Sequence, residues 1–222
     1  MSTRIETTSC RAGLLSELPA GWAQAIVTSP CRADLDRSPA ALFTQLHRVL
    51  REDGTLWLLC ADEYLPDALA ESGWIARQVD WATPLRVDPA GRARLHLFVK
   101  QPRYHYNTPA AELFLVPRTR SALACATERS HGCVWSPEHR RELIRSCLIA
   151  ATARIACGAC GTPYTRGSSG DRRPTCGHHN PCGRCLVLDP FYDPAHGTLD
   201  VARQTGRSFL GIVDTTDDGD PR

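Results

Sequence analysis

The chain has 222 residues, 42% hydrophobic and 23% charged, enough for one globular domain and a small second unit. Lysine plus arginine (26) nearly cancels aspartate plus glutamate (24), which excludes a strongly basic nucleic-acid coat but not a local basic face. No apolar run approaches the ~20 residues that cross a bilayer. The opening MSTRIETTSCRAGLL lacks a secretory apolar core, so a cytoplasmic chain with no membrane partner is expected.

Ala25-Ile26-Val27-Thr28 reads as a short buried strand ended by Ser29-Pro30. Leu42, Leu46, Val49 and Leu50 recur at helical spacing, with Ser38 as cap and Pro39 in the first turn. Gly54 is expected to stop that helix by taking the left-handed conformation. Thr55 to Cys60 follows as a strand, then a short helix near 65–72 and a strand from Ile75 to Trp81. His96–Val99 and Glu112–Val116 predict two more strands, and 117–135 a polar loop. Pro137 to Ile149 is helical, with Leu143, Ile144, Cys147 and Leu148 on one face. Leu186 to Phe191 is a buried strand ending in an acid; Leu199 to Gln204 is helical and Ser208 to Val213 a last strand. Strand–helix alternation predicts an α/β fold, a mostly parallel sheet with helices on both faces.

Residues 157–185 are rich in Cys, Gly, His, Pro and Ser and cannot build an apolar core. The chain carries eleven cysteines, and in a reducing compartment CxxC spacing points to metal rather than disulfides. Cys157-Gly158-Ala159-Cys160-Gly161 has the form of a zinc-knuckle turn. Either Cys176 with His178 or Cys182 with Cys185 completes four ligands. The basic residues are arginine with the single exception of Lys100, and Arg92, Arg94, Lys100 and Arg103 are candidates for phosphate contact.

Four stretches in chain order carry a resemblance. They are Cys10–Pro30 (CRAGLLSELPAGWAQAIVTSP), Leu46–Leu58 (LHRVLREDGTLWL), Val134-Trp135-Ser136 ahead of the Leu143 helix, and Leu186–Phe191 (LVLDPF) with Gly197-Thr198 and Gly206 to Ile212. Together they resemble the permuted, beta-class DNA methyltransferases that alkylate exocyclic amines of cytosine or adenine. The resemblance implies a Rossmann-like methyltransferase sheet over 1–155 and 186–222, with 156–185 as a small zinc-ribbon-like insert. It implies S-adenosylmethionine as cofactor, structural zinc, DNA as partner and a flipped-out target base. Ser29 and Pro30 would accept hydrogen bonds from the target amine, with Cys31 and Arg32 where the family has a second proline and an aromatic. Asp189, Phe191, Gly197, Thr198 and Asp214 would line the cofactor site, and Cys157, Cys160, Cys176 and His178 would bind zinc.

The chain also departs from the family. Ser9 replaces the opening acid, the loop after Phe191 is longer, and Val213 takes the place of the ribose-binding acid. Asp214 follows one residue later and, on a strand, faces the opposite way from that position. Only nine residues, Cys31 to Pro39, separate the catalytic motif from the next helix. Two other readings stay open: a non-catalytic module binding DNA or a protein partner, and carbon-5 methylation of cytosine through Cys31.

Overall fold

The structure, a computed structural model, describes residues 2–30, 34–35, 40–61, 69, 72–77, 93–107, 137–166, 172–174 and 176–215. In chain order these form β1 (Thr3–Thr8), α1 (Arg11–Glu17), β2 (Ala23–Thr28), α2 (Ala40–Val49), β3 (Leu50–Ala61), β4 (Ile75–Arg77) and β5 (Ala93–Val99). There follow α3 (Pro137–Ala151), β6 (Tyr164–Arg166), β7 (Arg172–Pro174), β8 (Leu186–Asp189), α4 (Thr198–Thr205) and β9 (Ser208–Asp214). Seven strands make one sheet in the order β1-β9-β8-β2-β3-β5-β4. The first five run parallel, and β5 is antiparallel to both β3 and β4.

The central strands are apolar because both faces are covered. All six residues of β2 are buried. On α2, Leu42, Phe43, Leu46 and Val49 fall on one buried face at three- and four-residue spacing. With Leu15 of α1 they cover Ile26, Leu56, Leu58, Leu188, Leu210 and Ile212 on one side of the sheet. On the other side Leu143, Ile144, Cys147 and Leu148 of α3, with Val201 and Ala202 of α4, cover Ala25, Val27, Trp57, Val187 and Phe209. The expected α/β sheet with helices on both faces is therefore present.

Arg207 ties the second layer together. It is 6% exposed and donates to Oγ1 and O of Thr152 and to O of Thr205. Those carbonyls lie at the C-terminal ends of α3 and α4, where a cation is favoured. Burial draws the guanidinium down to about 10.

Gly54 does not stop a helix. The helix ends at Val49 and β3 begins at Leu50, with Gly54 inside the strand and not among the positive-φ glycines. The register explains it: Ala23 pairs with Leu50 but Ala25 with Thr55, so residues 51–54 bulge out of the ladder. A side chain at Gly54 would meet Gln24 O at 2.8 Å and Leu50 Cδ1 at 2.7 Å, so close backbone approach requires the glycine. β1 and α1 carry no strong periodic signal in the sequence and are visible only in the structure. The cap at Ser38-Pro39, most of the 65–72 helix, residues 78–81, the Glu112–Val116 strand, the 117–135 loop and Val134-Trp135-Ser136 lie outside the described residues.

Candidate functional site

The sheet order creates a crevice. From β2 the chain moves to β3 on one side, and from β8 to β9 on the other, so connections diverge between β8 and β2. Open α/β sheets bind ligands outside the carboxyl ends of strands at such a switch point. The residues following these two neighbouring, parallel strands are Ser29-Pro30 and Pro190-Phe191.

A buried hydrogen bond joins the two tips: Thr28 Oγ1 donates to Asp189 Oδ1 at 2.5 Å. Asp189 is fully buried and also accepts from the Phe191 N–H at 3.3 Å. Its other oxygen, Oδ2, has no hydrogen-bond partner among the described residues. Burial raises its pKa to about 6, against the opposing pull of the Thr28 hydroxyl, the Thr198 hydroxyl and the Phe191 amide. Thr198 favours the charged form by proximity but makes no well-formed bond to the carboxylate.

Ser29 Oγ donates to Leu59 O at 3.2 Å, and Pro30 beside it is buried. A hydroxyl has one proton and two lone pairs. With the proton spent on Leu59, Ser29 Oγ presents acceptor capacity only. Cys31 and Arg32 lie outside the described residues.

Phe191 and Asp214 sit on the α1 side of the sheet, and Arg11 meets both. Its Nη1 is 3.0 Å from Asp214 Oδ2, its Nη2 is 3.6 Å from Asp34 Oδ1, and its guanidinium carbon is 4.8 Å from the centre of the Phe191 ring. Val213 turns to the opposite face, with the α3 and α4 cluster. The acid one residue late is thus the one that faces Phe191. No sequence pattern flags Arg11 or Thr28, because their partners lie far along the chain.

The longer loop after Phe191 does not cover this side. Tyr192 packs against Phe209 on the α3 and α4 face of the sheet, ring centres 5.4 Å apart, and its ring occupies the space a side chain at Gly211 would need. Asp193 caps a short 3-10 turn, Pro194–His196, through the Ala195 N–H. Gly197 takes φ +75°, and a Cβ there would meet Arg141 Nε at 2.8 Å. Its open face is therefore held by α3.

Lys100 is not a free phosphate ligand. Its ammonium donates to Leu50 O at 3.1 Å and pairs with Glu52 at 2.5 Å. Arg103 is exposed; Arg92 and the side chain of Arg94 lie outside the described residues.

The cysteine-rich stretch forms a second centre. Ligand atoms of Cys157, Cys160, Cys176 and His178 all lie within 4.8 Å of one another. Tetrahedral thiolates on zinc stand about 3.8 Å apart, so the four atoms are grouped at nearly the spacing such a shell needs. The knuckle turn is closed by Gly161 N–H to Cys157 O at 2.8 Å and clamped by paired bonds between Ala156 and Gly183 at 3.0 Å. Thr162 draws the Cys160 thiol down to about 6, first through its hydroxyl at 3.1 Å. Cys185 stands outside the cluster, and burial pushes its thiol up to about 11. The bulge in β3 reaches this centre: Arg51 donates to Cys160 O at 2.6 Å and to Thr162 Oγ1 at 3.0 Å.

Compared by sequence, the chain matches no family model and no curated protein. Compared by structure, it resembles a Thermus thermophilus protein assigned as a DNA modification methylase, with TM-score 0.54 and 14% identity over 96% of this chain and 89% of that one. It resembles the cytosine-N4-specific PvuII DNA methyltransferase equally well, TM-score 0.54 and 11% identity over 97% and 83% of the two chains. M1.HpyAVI follows with TM-score 0.51 and 14% identity over 96% and 93%. The chain has an α/β, methyltransferase-like fold. The Thermus protein has also been solved with S-adenosyl-L-methionine, in a structure matching at TM-score 0.52 and 14% identity over 95% of this chain and 87% of that one. No helix among the described residues is long and apolar enough to cross a membrane.

Proposed function

We propose that this chain is an S-adenosylmethionine-dependent methyltransferase-like protein directed at an exocyclic amine of a DNA base, with a structural zinc in its 156–185 segment. The observation that supports it best is the Thr28–Asp189 bond at 2.5 Å, which sets the Ser29-Pro30 and Asp189-Pro190-Phe191 tips together at the switch point. When bound, the cofactor supplies the methyl group. The residues present suit it: Phe191 has a ring face, Asp214 a carboxylate to accept from hydroxyls, and Asp189 a buried oxygen with no hydrogen-bond partner among the described residues. Ser29 Oγ and the Pro30 carbonyl would accept from the target amine, localising its lone pair by position rather than by acid–base chemistry.

Transfer of labelled methyl to duplex or single-stranded DNA tests this directly, and absence of transfer to either would count against it. Ser29→Ala is expected to lower turnover about 100-fold, the usual cost of one oriented polar contact, while leaving cofactor affinity unchanged in calorimetry. A loss of affinity instead would move Ser29 out of the proposed role.

The non-catalytic reading has one observation in its favour, the Asp214 carboxylate already engaged by Arg11 at 3.0 Å. Calorimetric titration separates the two: micromolar binding of S-adenosylmethionine sinks the non-catalytic reading.

For the zinc, Cys157, Cys160, Cys176 and His178 supply four ligands, a closed structural shell with no open position. Arg51 acts on it from outside, through the Cys160 carbonyl. Arg51→Ala is expected to speed zinc loss to a chelator by about tenfold, the low end of such outer-shell effects. An unchanged release rate would make Arg51 a bystander.

A further inference from the structure

We propose that Arg11 is a built-in occupant of the cofactor cleft, competing with S-adenosylmethionine for Phe191 and Asp214. This rests on the cofactor reading above.

The cleft wall on the α1 side offers two recognition elements: the Phe191 ring and the Asp214 carboxylate. An adenosine would use them with a flat π-system and with ribose hydroxyl donors. A guanidinium carries both properties in one group, being planar, delocalised and rich in donors. Arg11 places that group where both elements are used at once, 4.8 Å from the ring centre and 3.0 Å from the carboxylate. The arrangement is sheltered, with Arg11 11% and Asp214 13% exposed at the side chain. It is also strapped from a third side by Asp34, which belongs to the segment following the Ser29-Pro30 tip.

The internal contact is not perfect. Arg11 Nε is buried without a hydrogen-bond partner among the described residues, a standing cost in the filled state. Arg11 is the first residue of α1 and leaves this donor unsatisfied, so it is the partner that would be displaced when cofactor binds. Cofactor affinity is then the intrinsic value reduced by the fraction of molecules whose cleft is open.

Calorimetry with S-adenosylmethionine on the full chain tests this. Arg11→Gln and Arg11→Ala are expected to bind on the order of tenfold tighter than the unsubstituted chain, the reverse of what loss of a ligand-holding residue would do. Millimolar ethylguanidinium should weaken binding to Arg11→Ala and leave the unsubstituted chain unaffected, since only the variant has the vacated place. Thermal melting checks that the variants fold. Should both melt early, Arg11→Lys keeps the charge without the planar fork and is expected to bind tighter than the unsubstituted chain. Equal or weaker binding by folded variants would overturn the plug while leaving the cofactor reading intact. No binding by any of the proteins would overturn both.

Discussion

Cys157→Ser is expected to abolish stoichiometric zinc and to unfold the segment from 156 to 185. Cys157 is 1% exposed, so the serine hydroxyl would be buried where the proposed shell has a thiolate. Little apolar packing holds the segment: among the described residues β6 and β7 are three residues each and form a two-stranded ladder of their own, and the Ala156–Gly183 and Arg51 hydrogen bonds are its other ties. Structural zinc contributes apparent folding free energy of about 10–16 kcal/mol in small peptides at neutral pH. That exceeds what a hairpin this short could supply. Elemental analysis should give one zinc per chain before the substitution and none after. A chelator should produce the same loss of structure in the unsubstituted chain. Full zinc content in Cys157→Ser would remove this residue from the shell. Retained structure after chelation would show that the segment folds without metal.

Asp189 should make the protein less stable as pH rises from 4 to 7. The carboxyl is fully buried and its pKa is raised to about 6, against about 3.9 in an unfolded chain. The folded state therefore holds its proton longer than the unfolded state. Stability from this group is complete below pH 4 and lost as pH passes through 6, a swing of about 3 kcal/mol. Asp189→Asn keeps an acceptor for Thr28 and the Phe191 amide and cannot ionise. Its denaturant midpoint is expected to be flat over that interval in the share Asp189 contributes. A variant with the unsubstituted chain's full pH slope would place the titration elsewhere.

The strands that carry the site are readable because their surroundings demand a simple pattern. β2 and β8 are covered on both faces, so AQAIVT and LVLD are apolar almost throughout. The helix at Leu42–Val49 is readable for the same reason in its own period. What fails is local chemistry overruled by long-range contact. Gly54 looks like a helix stop, but Gln24 and Leu50 crowd it in a strand bulge. Lys100 looks like a surface cation, yet Leu50 and Glu52 hold it. β1 is half exposed and has few apolar residues, so only its pairing with β9 makes it a strand. The Cys157–Cys160 knuckle is legible from spacing, which leaves Cys176 with His178 and Cys182 with Cys185 both open until the fold groups the first pair with the knuckle. Arg11 is not legible, since Asp214 is brought to it only by the sheet.

The strand order has a consequence for how the molecule is made. β1 is made before the other described strands, but its sheet neighbour is β9, and β8 and β9 separate it from β2. Until residues 208–214 appear, β1 has no ladder to join. This side of the sheet can assemble only once Ser208–Asp214 has been made, by inserting β8 and β9 between the earlier-made β1 and β2. Such non-local pairing folds slowly, and an arrested chain ending before Ser208 would leave both β8 and β1 with open backbone edges and a waiting time set by synthesis at about 5–20 residues per second.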